Sequence, residues 1–159
     1  MTGGSRRRPA GRKTGRPSAP GHVPAAASDV TICIDGASRG NPGHASIGVL
    51  VLAGGEPLKT IAERIGVATN NVAEYKALLR GLDEAAALGA STVHVQSDSE
   101  LLVRQILGEY KVRNETLAPL HREALARMRR FSRVHVFHVP RARNAAADGL
   151  ANRALDAPR

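Results

Sequence analysis

The sequence predicts an α/β fold, a sandwich of helices on a mixed sheet. Three observations lead there. Short β-branched runs bounded by glycine, proline or asparagine recur along the chain. Amphipathic stretches of helical period lie between the later ones. Their succession reads strand, strand, strand, helix, strand, helices, strand, helix. At 159 residues the chain is long enough for one domain with a proper core and an appendage.

Val30–Ile34 is a buried strand by composition, and it delivers a carboxylate, Asp35, to its tip. The following Gly-Ala-Ser-Arg-Gly-Asn-Pro-Gly reads as a small-residue loop with room for something bulky and charged. Ala45–Ala53 is the second strand, residues 54–57 a hairpin connection, and Leu58–Gly66 an outer strand. Tyr75, Leu78, Leu79, Leu82 and Ala86 then recur at helical spacing up to Gly89, a helix stop. Val93–Ser97 is a further buried strand ending in Asp98, and Leu101, Leu102, Gln105 and Ile106 mark the helix after it. Residues 110–119 read as a connector and Leu120–Arg130 as a basic amphipathic helix with Leu120, Ala124, Leu125 and Met128 inward. Val134–Val139 is the last strand and Asn144–Leu155 the final helix.

The formal net charge of +9 points to a polyanionic partner. Much of it belongs to residues 1–28, which hold six basic residues, no acid and nine glycines or prolines. Such a segment is expected to be a disordered basic arm preceding a folded domain at 29–159, where 17 basic and 14 acidic residues leave only +3. Aromatics at 3% exclude a base-stacking platform as the means of holding nucleic acid. The single cysteine, Cys33, sits in the first strand as a small core hydrophobe, and a reducing, cytoplasmic setting follows. No apolar run approaches membrane-spanning length, so no membrane is expected among the partners. The brevity of the loops points to a monomer.

Four acids stand out: Asp35 and Asp98 close buried strands, and Glu74 and Asp148 lie in the first turns of helices. Each has a purely structural alternative. Asp35 suits a turn, Asn71-x-x-Glu74 is a capping box, Asp98 or Ser99 caps the next helix, and Asp148 complements a helix dipole. Jointly they imply more. Two adjacent parallel strands would bring Asp35 and Asp98 together, and close carboxylates need a compensating charge. A hard cation with oxygen ligands provides it, and cysteine or histidine at zinc spacing is absent. The ion implied is Mg²⁺, with Mn²⁺ the alternative, and two such ions about 4 Å apart suit displacement at phosphorus.

The motifs Asp-Gly-x-x-x-x-Asn-Pro-Gly from Asp35, Thr-Asn-Asn-x-x-Glu from Thr69, Ser-Asp-Ser from Ser97 and Asn-x-x-x-Asp from Asn144 occur in that order, and over residues 29–156 the chain resembles type 1 ribonuclease H. The resemblance implies a ribonuclease H-like sheet of five strands ordered 3-2-1-4-5. It implies cleavage of the RNA strand of RNA/DNA hybrids with 5′-phosphate and 3′-hydroxyl products. By the same likeness Asp35, Glu74, Asp98 and Asp148 would be catalytic metal ligands for two ions. Gly36, Ser38, Asn41, Thr69, Asn70, Asn71 and Asn144 would meet the substrate, as would Glu100, at a position where the family often has glutamine. Neutral amides and hydroxyls suit a shallow groove read without sequence preference, and small residues admit close backbone approach.

Two features depart from the better-known members. The basic, tryptophan-bearing protrusion is replaced by the short stretch 108–119, and the chain has no tryptophan, so the compact archaeal and bacterial variant is the closer likeness. Hybrid affinity then falls to the arm or to Arg122, Arg127, Arg129 and Arg130. The loop histidine of those members is also missing. His138 is assigned to a strand, and Arg141 or Arg143 is expected to supply charge at the scissile phosphate. Two other functions remain open on these residues: a noncatalytic hybrid-binding module, and a branched-DNA nuclease of the same fold.

Overall fold

The computed structural model describes residues 28–158. The expected basic arm, save Ser28, lies outside the described residues. Five strands form one sheet: β1 (Asp29–Gly40), β2 (Gly43–Ala53), β3 (Glu56–Ala68), β4 (Thr92–Ser97) and β5 (Arg133–His138). Their order is β3-β2-β1-β4-β5. The β1–β2 and β2–β3 pairs are antiparallel, and β1–β4 and β4–β5 are parallel. Helices α1 (Asn70–Ala87), α2 (Glu100–Ile106), α3 (Leu117–Met128) and α4 (Ala145–Asp156) complete the fold. The expected fold class and strand order are those observed.

Period-two alternation decides what each face of β1 meets. Val30, Ile32 and Ile34 are fully buried under α1, where Gly81 lets the helix approach Ile32 and Ile34 closely. Tyr75, Leu78 and Leu82 fill the space from the helix side. Each such burial contributes roughly 1.5–3 kcal/mol, and these contacts anchor α1 to the sheet. The other face of β1 carries Asp35, paired in register with Gly48 on β2. Gly48 sits hard against α4: a Cβ there would lie 2.2 Å from the Ala147 carbonyl oxygen. Ser46 Oγ donates to the Ala151 carbonyl at 2.6 Å and fastens the same contact.

Several boundaries differ from expectation for identifiable reasons. β1 runs five residues past Asp35, because β2 continues to pair with it as far as Gly40↔Gly43. Asp35 is therefore a strand residue and not a turn residue. The tight turn between β2 and β3 is Gly54-Gly55, both at positive φ, so Glu56 and Pro57 already belong to β3. α3 begins at Leu117, inside the stretch read as a connector. Pro119 is tolerated there because first-turn N–H groups need no partner inside the helix. Asn114 Oδ1 accepts from Thr116 and Leu117 and opens the helix. On α3 Ala124 is fully buried, with Leu120 and Met128 partly buried against the core.

Candidate active site

The β1–β4 pairing ends at Ile34↔Ser97, so Asp35 and Asp98 emerge side by side where the two strands part. Turn and cap bonds made by Ser97 and Ser99 leave the Asp98 carboxylate free of that duty. Ser97 Oγ accepts from Ser99 N–H at 3.0 Å and turns the chain. Ser99 Oγ, not Asp98, caps α2 by accepting from Leu102 N–H at 3.2 Å. Thr69 caps α1 by accepting from Val72 N–H at 3.2 Å, so the Asn71-x-x-Glu74 capping box does not form. Glu74 instead reaches the strand, and its Oε1 accepts the Gly36 N–H at 2.9 Å. That contact requires glycine: a Cβ on Gly36 would fall 2.3 Å from the Ala73 carbonyl carbon.

Carboxylate oxygens of Asp35, Glu74 and Asp98 lie within 4.8 Å of one another. Asp35 is 5% exposed and Glu74 6%. Burial foremost, then the charges of Asp98 and Asp148, pushes the Asp35 carboxyl up to about 8. Burial and the charges of Asp35 and Asp98 push Glu74 up to about 9, against the opposing pull of the Gly36 amide and Arg141. Asp148, in the first turn of α4, lines the same cleft and lies near enough to Asp35 to help raise its carboxyl. Arg141 stands beside it, Nη2 at 3.5 Å from Asp148 Oδ1, with its side chain 81% exposed. An all-oxygen donor set under mutual repulsion fits a hard divalent ion and suits no thiolate- or imidazole-seeking metal.

The acids open into a polar cleft of about 300 Å³ whose wall includes Gly36, Ser38, Asn70 and Arg141. The other expected substrate residues divide into two groups. Asn41 and Asn71 are exposed and flank Asn70, the one by contact and the other in sequence, with Asn41 Oδ1 accepting from Asn70 N–H at 3.1 Å. Arg143 is exposed as well. Ser38 donates to the carbonyls of Ala68 and Gly40, Thr69 caps α1, and Glu100 is ion-paired with Arg104. Asn144 is 1% exposed and turns inward.

Arg127 is held by Asp83 and Glu123. Arg129 and Arg130 precede the start of β5, at the opposite end of the strands from the carboxylates. Six residues of strand separate those ends by roughly 20 Å, so these two arginines do not face the cleft. His138 closes β5 on the sheet surface, as expected.

Two polar cleft residues, Arg39 and Asn152, escape the sequence reading. Both had a periodic signal: Arg39 shares the Asp35 face of β1, and Asn152 follows Asp148 by one helical turn. The His94–Asp29 pair at 2.8 Å and the stacking of His94 on His135 escape that reading as well. Register alone creates these contacts.

Fold and carboxylate cluster together define a nuclease-type α/β domain, and comparison with known proteins narrows the class. Residues 33–154 match the family model described as reverse transcriptase-like. The bifunctional protein Rv2228c of Mycobacterium tuberculosis is 47% identical over 130 residues, which cover 80% of this chain and 36% of that protein. Ribonuclease HI of Halobacterium salinarum is 42% identical, over 77% of this chain and 62% of that protein. The chain thus spans about a third of the mycobacterial relative and under two thirds of the halobacterial one. The solved structure of the latter organism's RNase H1 superposes with a TM-score of 0.79 at 40% identity, over 80% of this chain and 98% of that one. LC11-RNase H1 in complex with an RNA/DNA hybrid superposes with a TM-score of 0.76 at 40% identity, over 80% and 96% of the two chains. This chain belongs to the ribonuclease H family.

Proposed function

We propose that this chain is a metal-dependent endonuclease that hydrolyses the RNA strand of RNA/DNA hybrids, leaving 5′-phosphate and 3′-hydroxyl ends. One observation carries the reading: three buried or half-buried carboxylates converge within 4.8 Å in a chain of this family. Asp35, Glu74 and Asp98 would hold the ions, with Asp148 beside Asp35 as the fourth ligand. When bound, Mg²⁺ (or Mn²⁺), two ions per site, supplies Lewis-acid charge at phosphorus and lowers the pKa of the attacking water.

The chain's own groups do the rest. The Gly36 amide holds one oxygen of Glu74, leaving the other free to act as ligand. Arg141 places an exposed guanidinium at the mouth of the cleft, where a scissile phosphate would sit. Exposed Asn41, Asn70 and Asn71 offer amides to 2′-hydroxyls and base edges, and the absence of charge on them suits reading without sequence preference. Among the described residues no helix is long and apolar enough to cross a membrane. The lone buried Cys33, a free thiol, supports the reading of a cytoplasmic enzyme.

The test is a substrate panel in Mg²⁺: end-labelled RNA/DNA hybrid, duplex RNA, duplex DNA and a four-way DNA junction. Cleavage confined to the RNA strand of the hybrid is expected. A hybrid bound but uncut would mark a noncatalytic module, and a cut junction beside an intact hybrid would mark a branched-DNA nuclease.

A further inference from the structure

Asn144 presents an anomaly that substrate contact does not explain. It ends the single 3₁₀ turn Arg141–Asn144 and directly precedes α4, the helix that carries Asp148. Its side chain is buried. Nδ2 donates to the Ile34 carbonyl at 2.8 Å and approaches Asp98 Oδ2 at 3.3 Å. Among the described residues Asn144 Oδ1 is the buried side-chain atom without a hydrogen-bond partner. Leaving a buried acceptor unmatched is costly, and an apolar side chain of similar shape would avoid it. What the apolar residue would lose is the pair of N–H bonds.

We infer that Asn144 is a positioning residue: its amide ties Asp98 to β1 at Ile34, one residue before Asp35, and to the origin of α4, so that carboxylates from three elements stay in one site. Two protons on one nitrogen suit this role, since each bond fixes the direction of the other. Ile34 is part of the rigid strand and fully buried, so it serves as the fixed point and Asp98 as the group being aimed. The inference rests on the metal-dependent nuclease reading above. It assigns Asn144 an action on metal affinity and turnover, with no direct hold on substrate.

The experiment compares wild type with Asn144→Ala and Asn144→Ser in the full chain. Mn²⁺ binding is measured by calorimetry without nucleic acid, and kcat and KM on a hybrid are measured separately. Outer ligands of this kind typically govern affinity or activity by about 10–100-fold. The expected result is Mn²⁺ affinity and kcat both reduced in that range, KM for the hybrid unchanged, and partial recovery of rate at high metal concentration. In an Asp98→Asn background the Asn144 substitution should no longer change Mn²⁺ affinity. Affinity within twofold of wild type in a folded variant, or a raised KM at constant kcat, would overturn the assignment. Should Asn144→Ala not fold, Asn144→Ser decides on the same criteria. A wild-type chain that binds Mn²⁺ and cuts no hybrid would defeat the nuclease reading and leave the calorimetric comparison intact.

Discussion

The Gly36 N–H donates to Glu74 Oε1 at 2.9 Å, and this bond joins the central strand to the first helix at the floor of the cleft. Both partners are buried. The bond is possible only because residue 36 lacks a side chain, since the α1 backbone occupies the space that a Cβ would need. Gly36→Ala should therefore force α1 away from β1. The expected loss of stability is about 1–3 kcal/mol, the range for overpacking, together with most of the cleavage activity. Urea denaturation and a hybrid cleavage assay check the two effects. A variant of wild-type stability would show that α1 can give way without consequence.

The carboxylates make the metal-free protein sensitive to pH in a defined direction. Asp35 titrates near 8 and Glu74 near 9 in the folded state, both above their ordinary values. The native state therefore binds more protons than the unfolded chain between about pH 4 and pH 9, and stability falls as pH rises through that window. Divalent metal replaces the protons. In EDTA the melting temperature should fall from pH 5 to pH 8.5, and the rise on adding Mg²⁺ should be larger at pH 8.5 than at pH 5. An equal rise at both values would contradict metal binding at these acids.

Arg141 lies at the mouth with 81% of its side chain exposed, so its 3.5 Å pairing with Asp148 contributes little stability. Its use is in the reaction. Arg141→Ala should leave the melting temperature within about a degree and lower kcat about tenfold, the value of one charge-assisted contact. Arg141→Lys should recover part of the rate. Unchanged kinetics in the alanine variant would remove Arg141 from the site.

Much of this was legible in the sequence because the signals are local. β-branched runs mark the core strands, Gly89 follows α1 at positive φ, and the four acids stand within recognisable motifs. What escaped depends on partners distant in sequence. Asp35 lies well inside a strand because β2 keeps pairing beyond it, which no property of residues 35–43 reveals. The structural alternative for Glu74, a capping box with Asn71, fails because Thr69 is the cap and Gly36 the group that Glu74 meets. The sequence makes Asn144 a substrate contact, yet it is buried behind Asp98, 46 positions away along the chain. Arg129 and Arg130 show the same limit: charge is visible in sequence, but which end of the sheet it occupies is not.

Asp35→Asn tests the central claim most directly. The substitution removes one of the crowded negative charges and keeps the shape, so the variant should fold, resist heat in EDTA at least as well as wild type, and still bind hybrid. Cleavage of an end-labelled RNA/DNA hybrid in Mg²⁺ by wild type and by this variant is the deciding measurement. The account predicts 5′-phosphate products from wild type and no detectable cleavage by the folded variant. Comparable cleavage by the two proteins, with the same metal requirement, would contradict it.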